Sequence, residues 1–120
     1  MCIRDSTWTS DGEWIAFGLG YWFFERYTEG GWIYRVTANG SHYEQLTFGT
    51  PGVVNSGFPS FSPDGTQLVY RDFGPSVGLG LRILNLTDMT VTNLTNTWDN
   101  TPGWSPDGER IVFTLSLIHI

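Results

Sequence analysis

The chain has 120 residues, with twelve acidic against six basic side chains, a formal net charge of −6 and an aromatic content of 16%. All six cations are scattered arginines, so the clustered positive surface that tracks a phosphate backbone is missing and nucleic acid is not a fitting partner. No apolar run approaches the ~20 residues that cross a bilayer as a helix, and one cysteine, Cys2, cannot build a disulfide framework.

The chain opens Met1-Cys-Ile-Arg-Asp-Ser6 and closes Leu115-Ser-Leu-Ile-His-Ile120. The tail can be back-translated as CTG TCT CTT ATA CAC ATC. The reverse complement of that string, read one base in, encodes Met1 to Asp5 and begins a serine codon. Both ends therefore look like complementary strands of one transposon end used to build sequencing libraries. On this reading residues 1–6 and 115–120 are foreign, and 7–114 is an internal piece of a longer gene. Cys2 and His119 then leave consideration as thiol or ligand.

From residue 8 a phrase begins that recurs twice: Trp8-Thr-Ser-Asp-Gly-Glu-Trp-Ile-Ala-Phe17, Phe61-Ser-Pro-Asp-Gly-Thr-Gln-Leu-Val-Tyr70 and Trp104-Ser-Pro-Asp-Gly-Glu-Arg-Ile-Val-Phe113. A phrase repeated every forty to fifty residues, roughly, marks a repeat architecture. Its centre, Ser10-Asp11-Gly12, Ser62-Pro63-Asp64-Gly65 and Ser105-Pro106-Asp107-Gly108, is turn chemistry. Proline presets φ, aspartate suits the next position, and glycine accepts positive φ. The expected form is a three-residue hairpin loop with a G1 bulge, with outgoing strands at Trp14–Gly18, Gln67–Arg71 and Arg110–Thr114.

Between the phrases lie two further hairpins, Trp32–Thr37 with Tyr43–Thr47 and Gly80–Asn85 with Thr90–Thr95, which align without a gap. The extra length of the first repeat falls in Leu19–Gly31 and Phe48–Ser60, both expected as loops. Each repeat then holds four short antiparallel strands in up-and-down order, one blade of a β-propeller. The fold class is all-β, a partial propeller of about two blades (7–47 and 53–95) and one hairpin (100–114). Ile15, Leu68 and Ile111 with Phe17, Tyr70 and Phe113 are expected at blade-to-blade interfaces, and Trp8, Phe61 and Trp104 on the strand nearest the channel. A closed ring needs at least about four blades, so this piece should leave blade faces bare and self-associate.

Pro59-Ser-Phe-Ser-Pro-Asp-Gly65 and Pro102-Gly-Trp-Ser-Pro-Asp-Gly108, each preceded by a Leu-Thr ending (Leu46-Thr47, Leu94-Thr95), resemble the WD40-like (PD40) repeat. That is the repeat of the TolB C-terminal propeller and of propellers attached to prolyl-oligopeptidase-like peptidases. The resemblance covers 7–114, and departs from the pattern at Ser10, where the other copies have proline, and at Tyr34-Arg35 and Arg82-Ile83. It implies a non-catalytic scaffold for protein contact. The alternatives are the substrate-gating propeller of a serine peptidase whose hydrolase domain lies elsewhere, and a glycan- or ligand-binding propeller. It also implies a periplasmic or secreted parent.

Asp11, Asp64 and Asp107 recur but stand alone in their blades, and turn geometry accounts for them without a metal. Glu25/Glu29 and Asp107/Glu109 have no matched partner set. His42 falls in a turn with no nucleophile beside it, so no catalytic residue, metal or cofactor is assigned. Gly18-Leu-Gly20 and Gly78-Leu-Gly80 read as loop glycines. Trp98-Asp99 precedes a strand as part of a loop. The sequons at Asn39, Asn85 and Asn93 are what chance supplies in a chain rich in Asn and Thr. The remaining candidate is the aromatic segment Tyr21, Trp22, Phe23, Phe24 and Tyr27, either a partner-binding loop or a continuation of the blade strand.

Overall fold

The computed structural model describes residues 6–20, 31–50, 53–74 and 77–115. Every regular element among them is a strand. The first sheet runs β1 (Ser6–Trp8), β2 (Trp14–Gly20), β3 (Gly31–Thr37) and β4 (Tyr43–Gln45), in that spatial order. The second repeats it with β5 (Asn55–Phe61), β6 (Gln67–Gly74), β7 (Val77–Asn85) and β8 (Val91–Asn93). A two-stranded unit, β9 (Asn100–Trp104) with β10 (Ile111–Thr114), begins the third. All neighbours pair antiparallel. The outgoing strands begin within one residue of their expected starts.

Alternation along these strands sends successive side chains to opposite faces. From blade one Ala16, Ile33 and Leu46, and from blade two Phe61, Leu68, Tyr70 and Leu84, form one buried cluster. Blade two also buries Val69 on its other face, so it is covered on both sides. That explains its run of Leu-Val-Tyr, which has no polar alternation. At roughly 25 cal/mol per Å² of apolar surface, such burial is the main stabilising term.

The interface expectation needs correcting for blade one. Leu68 and Tyr70 do face it, but the residues it offers in return are Ala16 and Trp14; Ile15 and Phe17 point the other way, half-buried. Each blade has a leading and a trailing face, and equivalent positions take the same one. In blade one the leading face has no neighbour among the described residues.

Three loop expectations also change. β2 continues to Gly20 and pairs with Gly31, so the ends of the segment 19–31 are strand, as are Gly18 and Gly20. Asn55–Ser60, expected in a loop, is most of β5, whose register shifts between Gly57 and Ser60. Gly78 and Gly80 sit in β7, where the register shifts opposite Asp72 and Phe73. In each case pairing with a long neighbouring strand extends the ladder through residues whose local preference is for a turn.

Candidate functional site

The three turn motifs share one set of hydrogen bonds. The hydroxyls of Thr9, Ser62 and Ser105 donate to Oδ1 of Asp11, Asp64 and Asp107 at 2.6, 2.7 and 2.6 Å. The same Oδ1 atoms accept the backbone N–H of Glu13, Thr66 and Glu109. The hydroxyls in turn accept the N–H of Trp14, Gln67 and Arg110. Gly12, Gly65 and Gly108 all take φ 74°, as the glycine of this turn must.

The loop closes later than a three-residue hairpin would. Ser62 N–H reaches the carbonyl of Gln67, and Thr9 and Ser105 do the same with Trp14 and Arg110. The side-chain caps go with this, since the aspartate and the hydroxyl take up the amides of the last loop residue and of the closing residue. Thr37-Ala-Asn-Gly-Ser41 is a fourth copy, with Thr37 Oγ1 donating to Asn39 Oδ1 at 2.9 Å and Gly40 again at φ 74°.

The hydroxyl bonds come first among the causes that hold the carboxyls of Asp11, Asp64 and Asp107 below the ordinary aspartate value. Ser10 Oγ donates to the carbonyl oxygen of Pro63, and a Cβ on Gly108 would meet Pro63 Cδ at 3.6 Å. The first and third turns thus both abut the second. Among the described residues no group of three or more His, Cys, Asp or Glu is placed to hold a metal ion. His42 packs edge-on to Trp14 at 6.1 Å, and the Arg35 guanidinium lies over the Trp14 ring at 4.3 Å. Tyr21, Trp22, Phe23, Phe24 and Tyr27 lie outside the described residues.

The site with the most varied chemistry was not anticipated. A cavity of about 220 Å³ opens at the seam between the blades. Leu46, Thr47 and Phe48 of the connection leaving blade one form one side; Ser56, Tyr70, Asp72, Leu84, Met89 and Val91 of blade two form much of the other. Pairing brings Ser56 opposite Asp72 and Tyr70 opposite Arg82.

Ser56 Oγ donates to Asp72 Oδ1 at 2.6 Å, while Arg82 Nε stands 3.6 Å from Asp72 Oδ2. Arg82 is held by other acceptors: Nη1 donates to the carbonyls of Leu81 and Thr95, and Nη2 to that of Leu79. Burial pushes the Asp72 carboxyl above its ordinary range, opposed by the Ser56 bond and the Arg82 charge. Burial likewise raises the Tyr70 phenol, with Asp72 adding to it, so Tyr70 stays protonated. The signal in the sequence was an acid within a strand-forming run, Leu68-Val-Tyr-Arg-Asp-Phe73.

A second cavity, of about 270 Å³, is lined by Phe58 and Pro59 with their repeat equivalents Thr101 and Pro102. Phe58 and Thr101 hold φ at 55° and 45°, at the bulge that lets a strand accommodate the following proline.

No family model matches the chain. It is 29% identical over 119 residues to an uncharacterized protein of Agrobacterium fabrum, Atu1656, aligning 88% of this chain with 37% of that protein. A solved structure described as TolB from Agrobacterium tumefaciens superposes with a TM-score of 0.74 at 24% identity, over 93% of this chain and 38% of that one. TolB from Acinetobacter baumannii superposes with a TM-score of 0.70 at 15% identity, over 92% and 26%. The chain thus spans between about a quarter and two fifths of the length of these proteins. Its fold is a partial β-propeller of antiparallel four-stranded blades, similar to part of TolB.

Proposed function

We propose that the chain is part of a non-catalytic, TolB-like propeller that presents a rigid surface to a protein partner. The observation that carries this is the packing of blade two. Leu68, Val69, Leu81 and Leu84 are at most 2% exposed, so both faces of one blade are locked between neighbours. A platform of that kind keeps surface features in fixed register, which lowers the ordering cost of binding. The repeats belong to the PD40 type on this reading. The propeller spans 7–114, the ends 1–6 and 115–120 are foreign, and the parent protein is periplasmic or secreted.

The test is the uninterrupted gene on either side of codons 7 and 114. Further propeller repeats with no enzyme domain support the scaffold. A Gly-x-Ser-x-Gly elbow downstream with a following Asp and His, and labelling of the parent protein by a fluorophosphonate, would establish the peptidase alternative instead.

A further inference from the structure

Both halves of one blade-to-blade contact stand uncovered on this chain, one on blade one and the other on the third unit. Pairing puts Trp8, Ile15, Phe17, Val36 and Tyr43 together on the leading face of blade one. Their repeat equivalents on blade two include Phe61, Leu68, Tyr70 and Leu84, which are buried in one cluster with Ala16, Ile33 and Leu46 of blade one. On blade one, by contrast, Trp8 is 57% exposed and Tyr43 71%, with Ile15, Phe17 and Val36 half-buried. The complementary trailing face is bare on the third unit. Val112, opposite Gly103, is 70% exposed, while its equivalents Ala16 and Val69 are fully buried.

The turns repeat the pattern. A Cβ on Gly65 would meet Thr9 Cγ2 at 3.7 Å, and one on Gly108 would meet Pro63 Cδ at 3.6 Å, so each turn rests on the one before it. A Cβ on Gly12 would meet nothing within 4 Å among the described residues. At the other end, Pro106 is the equivalent of Pro63 and is exposed.

We propose that two copies of this chain join head to tail into a closed ring, the third unit of each packing on blade one of the other. Val112 then stands against Trp8, Ile15 and Phe17 as Ala16 stands against Phe61, Leu68 and Tyr70, and Pro106 meets Gly12. The seam already present specifies the occupant. A leading face is covered by a trailing face, and the chain carries one of each unused. Ring size specifies the number of copies. One copy supplies three blade positions, short of the minimum of about four; two supply six and three would supply nine, outside the usual range of about four to eight. A heterologous contact that did not close would run on as a filament. The contact is apolar while each copy carries a net charge of −6, so the copies repel and salt should tighten the pair by screening.

Sedimentation velocity on the 120-residue chain, over a range of concentration, should show a monomer–dimer equilibrium that stops at two copies and tightens as salt is raised. Trp8→Glu and Val112→Glu, both at exposed positions, should each raise the dissociation constant by more than about tenfold, since each places a carboxylate in both contacts of the ring. Mixed together, the two variants should associate better than either does alone. The unchanged Val112 of one then meets the unchanged Trp8 of the other. Tyr43→Glu should leave association as it was, because β4 lies beyond the two strands of the third unit.

A monomer at every concentration overturns the proposal, and is the result expected if the face of blade one is made for another blade of a longer parent. Growth past two copies overturns it as well, since that reports open stacking. So does a mixture no better than its components, which would mean a like-to-like contact, or a Tyr43→Glu effect as large as that of Trp8→Glu, which would mean unspecific adhesion. Should a glutamate variant not fold, Trp8→Ser and Val112→Ser make the same mixing test. Failure here leaves the scaffold reading standing, because that is tested by the flanking gene.

Discussion

The indole N–H of Trp104 donates to the carbonyl oxygen of Ser60 at 3.1 Å, tying the third unit to the second. Trp104 is the repeat equivalent of Phe61, which is 6% exposed against blade one, and of Trp8, which is 57% exposed. Phe61 and Trp8 thus differ in burial according to whether a preceding blade is there to receive them, and Trp104, with blade two before it, is intermediate.

Stability should follow that difference. Phe61→Ala empties a core position and should cost about 3–5 kcal/mol. Trp104→Phe keeps the ring but loses the hydrogen bond, at about 1 kcal/mol. Trp8→Ala should cost close to nothing and should reduce association between copies. Urea denaturation with light scattering on the same samples checks all three, and a large loss for Trp8→Ala would mean that its face is covered.

Acid should loosen the turns. The carboxyls of Asp11, Asp64 and Asp107, and that of Asp88, held by Thr90, sit below the ordinary value of 3.8. A depressed folded pKa contributes stability above the unfolded value, and that contribution is lost as pH falls through the folded one. Melting temperature should therefore drop as pH falls below about 4. Asp64→Asn should flatten part of that drop without breaking the turn, because Asn39 makes the same bonds in the fourth copy. Melting curves across this range give the answer.

Asp72 should behave in the opposite sense. Its folded pKa is raised, so ionisation opposes folding above that value and ceases to matter below the unfolded value of 3.8. Asp72→Asn should melt at the same or a higher temperature at pH 7, the difference vanishing below about pH 4. The Ser56 hydroxyl can still donate to the asparagine oxygen, and Arg82 keeps its three carbonyls. A marked fall in melting temperature at pH 7 would show that the ion pair outweighs desolvation.

The contrast between Asp64 and Asp72 marks how far the sequence could be read. Asp64 acts through neighbours within five residues, so Ser62-Pro-Asp-Gly65 discloses turn, strand direction and blade register together. Asp72 acts through Ser56 and Arg82, which reach it only after β5, β6 and β7 have paired. The leading and trailing faces were missed for a related reason. In Trp14-Ile-Ala-Phe17 the repeat equivalents of Leu68 and Tyr70 are Ile15 and Phe17, but a single repeat cannot show which face has a neighbour. The bulges at Phe58 and Thr101 likewise needed a register, although Pro59 and Pro102 marked where the ladder had to give.

Gly80 offers the sharpest test of the pairing itself. It holds φ 100°, and a Cβ there would stand 2.2 Å from the carbonyl oxygen of Thr95 and 2.8 Å from the nitrogen of Asn96. Both are backbone atoms on the segment that Arg82 Nη1 and the Leu81 amide also grip. No rotamer change can relieve the clash, so Gly80→Ala must push 95–96 away from β7 and loosen these contacts. Gly65→Ala meets only Thr9 Cγ2 at 3.7 Å and should cost the backbone penalty alone, about 1–2 kcal/mol. Gly80→Ala should cost clearly more, with faster amide exchange at Leu81 and Thr95 as its local signature. Equal losses for the two variants would mean that the close approach at Thr95 does not hold the outer edge of blade two.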